Sequence, residues 1–202
     1  MDKVNVYILH TQAVKENFGK ILEYVDESRK VKALKFVQEK DKLLSLGAGY
    51  LMKKYLPNEE ILETKFGKPY LKNGPKFNVS HSGEFVVLAI HEQREVGVDI
   101  ERINENKIDV IKFVLSDKEK DVEDTNTLFQ MWSNKESLIK CLSTGIKDIK
   151  IVEGLPLEGK RTINNEEYFV KSMIYNGYSL SVSLKGKESF NMIINQVVNL
   201  DD

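Results

Sequence analysis

The chain has 202 residues, 41% hydrophobic and 30% charged, and a net charge of −1, which fits one large or two small soluble domains. That balance excludes a global field recruiting nucleic acid or an anionic membrane, and no apolar run nears the roughly 20 residues of a membrane span. The single cysteine, Cys141, excludes an internal disulfide, so a reducing cytoplasm is expected; a monomer is expected as well.

The opening MDKVNVYILHT has too short an apolar run for a signal sequence and reads as a strand over Val4–Leu9. From Gln12 to Tyr55 the pattern is helical and highly charged, with breaks near Asp26 and Gln38 and a stop at Pro57. Ile61–Phe66, Lys76–Ser80, Glu84–His91 and Glu95–Arg102 read as strands, and the short polar turn Glu92–Arg94 predicts a hairpin between the last two. Helices resume near Lys107; the spacing Ser116-Asp-Lys-Glu119 predicts a capping box opening a new helix, and Thr125–Leu142 another. Glu167–Tyr175, Tyr178–Leu184 and Phe190–Val197 are strands by alternation. FNVSHSGEFVVLAI from Phe77 and YFVKSMIYNGYSLSVSL from Tyr168 share the shape strand, glycine turn, strand, each after a helical stretch. This echo predicts an α+β fold with a pseudo-two-fold duplication: units 1–102 and 103–202, each a small, mainly antiparallel sheet packed with helices, held as one body.

Several motifs fail on inspection. Gly154-Leu-Pro-Leu-Glu-Gly159-Lys160 has P-loop spacing, but Arg161 stands where Ser or Thr is needed and strand follows instead of helix, so it reads as a loop. Ser80 and His81 are strand neighbours on opposite faces, with no nucleophile elbow around them. Three histidines and one cysteine lack zinc-ligand spacing.

Four features survive. In Gly97-Val-Asp-Ile-Glu101, Val96, Val98 and Ile100 form one face, leaving Asp99 and Glu101 side by side on the other. Like charges at i, i+2 repel, so that face is either solvated or shares a hard cation. Trp132, Glu136 and Lys140 fall at i, i+4 and i+8 on one helix face, either as a core tryptophan beside a surface ion pair or as a carboxylate and a cation facing that strand. Asn78-Val-Ser80-His81-Ser82-Gly83 is a polar turn between apolar strands, suited to turn formation or to phosphate oxygens. Arg29 and Lys32 share a helix face at i, i+3 among further lysines.

Taken in order, FNVSHSG, GVDIE and WSNKESLIK resemble the motif set of the 4'-phosphopantetheinyl transferase superfamily, in its longer single-chain, surfactin-type branch. The motifs cover roughly Arg29 to Lys140. The resemblance implies transfer of the phosphopantetheine arm of coenzyme A to a serine of an apo acyl or peptidyl carrier protein, with release of adenosine 3',5'-bisphosphate. It implies a magnesium site at Asp99, Glu101 and Glu136; coenzyme contacts at Arg29, Lys32, Lys68, Ser80, His81 and Lys140; and catalytic roles for Glu136 and Lys140. Lys135, beside Glu136, points elsewhere on the helix. The chain departs from the family at CLSTGI after Lys140 and at Val114-Leu115-Ser116, where carrier recognition is affected. The residues alone leave open a magnesium-dependent phosphoanhydride hydrolase and a non-catalytic coenzyme- or carrier-binding module. They do not separate fatty-acid, polyketide and peptide carriers.

Overall fold

The computed structural model describes residues 2–117, 119–143, 152–198 and 200. Its elements are β1 (Asp2–His10), α1 (Thr11–Glu16), α2 (Phe18–Tyr24), α3 (Glu27–Leu34), α4 (Glu39–Tyr55), β2 (Ile61–Glu63), β3 (Pro69–Leu71), β4 (Lys76–Ser82), β5 (Phe85–His91), β6 (Val96–Arg102), a 3-10 turn at Glu105–Lys107, α5 (Ile108–Val114), α6 (Thr125–Leu142), β7 (Glu158–Ile163), β8 (Glu166–Tyr175), β9 (Tyr178–Lys185) and β10 (Phe190–Val197). The α+β class read from the sequence is the observed one. Two four-stranded sheets run β10-β1-β5-β4 and β6-β9-β8-β7, and β2 and β3 pair as a small arm. The pairing is antiparallel except between β1 and β10. No helix among the described residues is long and apolar enough to cross a membrane.

The two-residue period of the strands sets the layers. On β5, Val86, Leu88 and Ile90 face the α4 side, where they join Leu46, Tyr50 and Leu51. The alternate residues Phe85, Val87 and Ala89 meet Val96, Val98 and Ile100 of β6 and Leu180, Val182 and Leu184 of β9 between the two sheets. The outward residues of β9, Ser179, Ser181 and Ser183, lie under α6 and are fully buried. One long helix therefore covers each sheet on its outer side; the larger apolar clusters lie between α4 and the first sheet and between the sheets, and smaller ones lie against α6.

The expected β5–β6 hairpin is not formed. β5 is paired on both edges, with β1 and β4, so β6 has no edge to join and pairs with β9 in the other sheet. The turn between them is closed by His91, whose Nδ1 accepts the backbone N–H groups of Gln93 (3.1 Å) and Arg94 (2.9 Å). Strand exchange follows from this: β6 lies before residue 102 in sequence but in the second sheet, and β10 closes the first. The capping box at Ser116–Glu119 does not start a helix. Glu119 does accept the Ser116 N–H (2.8 Å), but it is buried and also accepts from Gly154 N (2.5 Å) and Lys135 Nζ (2.8 Å), which draws it under α6. α6 is instead capped by Asp124, which accepts the Thr127 N–H at 2.8 Å. The strand read at Ile61–Phe66 stops at Glu63, because residues 64–68 close the turn to β3 through Thr64 N–H to Lys68 O (2.9 Å) and Gly67 at φ +80°. The loop read at Gly154–Lys160 becomes β7 from Glu158 onward. Of the departure CLSTGI, Thr144, Gly145 and Ile146 lie outside the described residues.

Candidate active site

The Asn78–Gly83 stretch is strand rather than turn: β4 runs to Ser82, and the turn is reduced to Gly83–Glu84. The reason is its two-residue spacing of polar side chains. β4 and β6 are edge strands of different sheets, and β4 satisfies β6 with side chains. Asn78 Oδ1 accepts the N–H of Val98 (2.9 Å), and Ser82 Oγ accepts that of Arg102 (3.1 Å). Ser80 Oγ lies 3.4 Å from the Ile100 nitrogen in the same relation. The serines then turn their own protons to the acids: Ser80 Oγ donates to Asp99 Oδ1 (2.9 Å) and Ser82 Oγ to Glu101 Oε2 (3.1 Å).

The other wall is α6. Glycine inside a strand often marks a close approach of backbones, and Gly97 does so here: a Cβ would strike the Ser137 carbonyl and the Cys141 nitrogen. Beside it, Ser133 Oγ meets Ser179 Oγ (2.5 Å) and Ser181 Oγ (2.7 Å), and Ser137 Oγ meets Ser183 Oγ (2.8 Å). Small side chains with mutually satisfied hydroxyls let the helix settle onto the sheet, placing Glu136 and Lys140 over Asp99. Lys140 Nζ donates to Asp99 Oδ1 (2.6 Å) and Ser80 Oγ (2.9 Å). Asp99 is 3% exposed, and its Oδ2 and Glu136 Oε1 are buried without a hydrogen-bond partner. Burial, reinforced by the Asp99 charge and opposed by Lys140, pushes the Glu136 carboxyl up to about 7.

The face of GVDIE that carries the acids is therefore neither solvated nor bare; it is roofed by a helix. Glu101 accepts from Lys107 (3.1 Å) as well as Ser82. Among the described residues, no group of three or more His, Cys, Asp or Glu side chains is gathered closely enough to hold a metal ion. Lys135 points away from the site, as its place on the helix implies. It is fully buried, paired with Glu119 at 2.8 Å, and donates to the Val152 carbonyl.

His81, on the face opposite Ser80, joins Arg29 and Lys32 in a cleft of about 310 Å³ that also contains Ser45, Pro69 and Val79. A second cleft of about 240 Å³ shares Gly67, Pro69 and Val79 with it and reaches Lys68, Ile139 and Lys140. The result is a groove from Arg29 to Lys140. Burial, then the Lys140 charge, lowers the His81 pKa, so its imidazole is neutral at pH 7. Burial also lowers the Arg29 pKa, against the nearby Glu63 and Asp26. Lys68 lines the groove, but its ammonium is held by Glu95 (3.0 Å) and the Val96 carbonyl (3.2 Å).

Ser82, Lys107 and Gly97 are absent from the sequence-derived site. The alternation Asn78-x-Ser80-x-Ser82 was the signal for the first, and the strand glycine for the last. Lys107 belongs to a segment that only the fold brings to Glu101.

A sequence profile of the 4'-phosphopantetheinyl transferase superfamily matches residues 95–186, and one described as 4'-phosphopantetheinyl transferase, N-terminal, matches residues 11–93. The two meet at the turn that carries the chain from one sheet to the other. The chain is 32% identical to the 4'-phosphopantetheinyl transferase gsp of Aneurinibacillus migulanus, over 64% of this chain and 60% of that protein. It is 26% identical to 4'-phosphopantetheinyl transferase Sfp of Bacillus subtilis, over 70% of each. To the L-aminoadipate-semialdehyde dehydrogenase-phosphopantetheinyl transferase of Xenopus laevis it is 29% identical, over 55% of this chain and 47% of that protein. The match thus spans less than two thirds of the Aneurinibacillus and Xenopus proteins.

Proposed function

The chain belongs to the 4'-phosphopantetheinyl transferase superfamily, and from that premise we propose that it transfers the phosphopantetheine arm of coenzyme A to a serine of an apo acyl or peptidyl carrier protein. The observation that carries this reading is the pair of buried, unpartnered oxygens, Asp99 Oδ2 and Glu136 Oε1, beside Lys140 at the end of a basic groove. Unsatisfied buried carboxylate atoms are costly and call for a partner. Hard oxygen donors of this kind fit a magnesium ion. Asp99 and Glu136 would hold it, and Glu101 would join them on leaving Lys107. When bound, the ion supplies charge neutralisation for the pyrophosphate and for the leaving bisphosphate.

The chain's own residues divide the remaining work. Arg29, Lys32 and the neutral His81 are proposed to take the coenzyme's 3'-phosphate, His81 by an N–H rather than by charge. The ammonium of Lys140 faces pyrophosphate oxygens, and Ser80 keeps it oriented. The acceptor serine oxygen bonds to the phosphorus that carries pantetheine. The bond from that phosphorus to the bridging oxygen breaks, and adenosine 3',5'-bisphosphate leaves with the electron pair. The serine proton passes to Glu136, whose carboxyl group lies near Asp99 and Lys140 at the end of the groove. Glu95 and the Val96 carbonyl take two of the three Lys68 ammonium protons, which leaves one for the coenzyme. We propose a cytoplasmic monomer as the working form.

Intact mass of an apo carrier protein after incubation with the chain, coenzyme A and magnesium tests the reading. Gain of one phosphopantetheine unit is expected. Coenzyme cleavage with an unchanged carrier would replace transfer by hydrolysis, and no reaction with any carrier would leave only binding.

A further inference from the structure

α4 contains two buried glycines, Gly47 and Gly49, in its interior. Glycine is the poorest helix former after proline, so each calls for a steric reason. The two look to different sides. A Cβ on Gly47 would lie 3.2 Å from Val86 Cγ2, 3.3 Å from Val14 Cγ2 and 3.5 Å from Leu9 Cδ2, against the apolar residues beneath the helix. A Cβ on Gly49 would strike Arg29 Cγ and lie 3.0 Å from Arg29 Cδ and 3.3 Å from Val25 Cγ1.

The missing side chain at Gly49 is therefore a slot for the aliphatic stem of Arg29. From that slot Arg29 lines the cleft it shares with Lys32 and His81, and a second cleft of about 500 Å³ that it shares with Lys32, Lys53, Glu59 and Glu63. Its charge is flanked by Glu63 and Asp26. A flexible stem evicted from the slot still finds room, because the neighbouring space is cleft rather than packed core. The guanidinium, however, would leave its place between the two clefts.

We propose that Gly49 is a positioning residue: by lacking a side chain it seats Arg29 so that the cleft prefers a coenzyme with a 3'-phosphate to one without. The inference rests on the reading of Arg29 as a phosphate contact, and its test separates the two.

Gly49→Ala, Arg29→Ala and the double variant are compared by calorimetric affinity for coenzyme A and for 3'-dephospho-coenzyme A, with KM, kcat and thermal melts alongside. Gly49→Ala is expected to melt at or above the wild-type temperature, since alanine is the better helix former. It should lower the preference for coenzyme A by about tenfold, the scale of one lost charge-assisted contact, raising KM with kcat kept. In the Arg29→Ala background it should add nothing. If Gly49→Ala does not fold, the double variant should regain the fold, because the obstructing stem is gone. Arg29→Ala losing the preference while Gly49→Ala keeps it overturns the role of Gly49. So does an equal loss in both backgrounds, or a double variant that stays unfolded. Arg29→Ala keeping the preference overturns the phosphate reading itself.

Discussion

Asn78 Oδ1 accepts the backbone N–H of Val98 at 2.9 Å, a side chain standing where a neighbouring strand would offer its carbonyl. Both residues are buried, so no water replaces the bond if it is lost. Asn78→Ala is expected to cost about 1–3 kcal/mol, the penalty of an orphaned buried donor. Ser82→Ala should cost less, since the Arg102 N–H it serves is exposed. Denaturant melts of the two variants check the order; equal losses would show that the seam between β4 and β6 is not dry.

Asp99 and Glu136 respond differently to neutralisation in metal-free protein. Asp99 is buried and bonded to Lys140, and removing one partner of such a pair is destabilising. Asp99→Asn is therefore expected to melt lower than wild type. Glu136→Gln removes a desolvated carboxylate repelled by Asp99 and should melt higher at pH 8. Both should lose magnesium-dependent transfer. A lowered melting temperature for Glu136→Gln under chelation would mean that its carboxylate is well paired.

The raised pKa of Glu136 has a signed consequence for pH. The folded state holds a proton on this group up to about 7, while the unfolded chain releases it near the ordinary value of 4.5. Stability from this group is thus complete below about 4.5 and is lost as pH rises through 7. Under chelation, the wild type should approach Glu136→Gln at pH 5 and fall several degrees below it at pH 8. A melting difference that stays constant with pH would contradict the shift.

His91 works with the opposite sign. Burial, slightly countered by Glu92, lowers its pKa, and its Nδ1 accepts two backbone N–H groups only while unprotonated. Its contribution is full above about 6.5 and lost as pH falls through the lower folded-state value. His91→Ala should therefore destabilise clearly at pH 7.5 and much less at pH 5. A melting difference between wild type and His91→Ala that does not shrink from pH 7.5 to pH 5 would rule this out.

How much was legible varied with how local the determining physics was. Thr125–Leu142 is helix by periodicity, and α6 has those ends. Asp99, Glu136 and Lys140 were named from short motifs, and the fold brings them together. The β5–β6 hairpin failed because strand pairing is settled by which edges are already taken, and β1 reaches β5 from nearly eighty residues away. Ser116-x-x-Glu119 had the right spacing for a cap, but a buried lysine on another element outbids a local helix start. A glycine inside a strand signals a close approach at Gly97, but not that α6 makes it, and Gly49 gives no such signal, because the atoms both avoid lie on other elements.

The pairing of β1 with β10 aligns Asp2 with Phe190 and Leu9 with Val197. On a ribosome, the first strand is made long before its parallel neighbour. β1, β5 and β4 can assemble early, but one edge of β1 stays open until β10, at Phe190–Val197, has emerged. Contacts of such long sequence separation form slowly because the loop must be closed before they reward it. Until then the nascent segment carries an apolar strand with an unpaired edge. That is the interval in which a chaperone has most to gain by holding it.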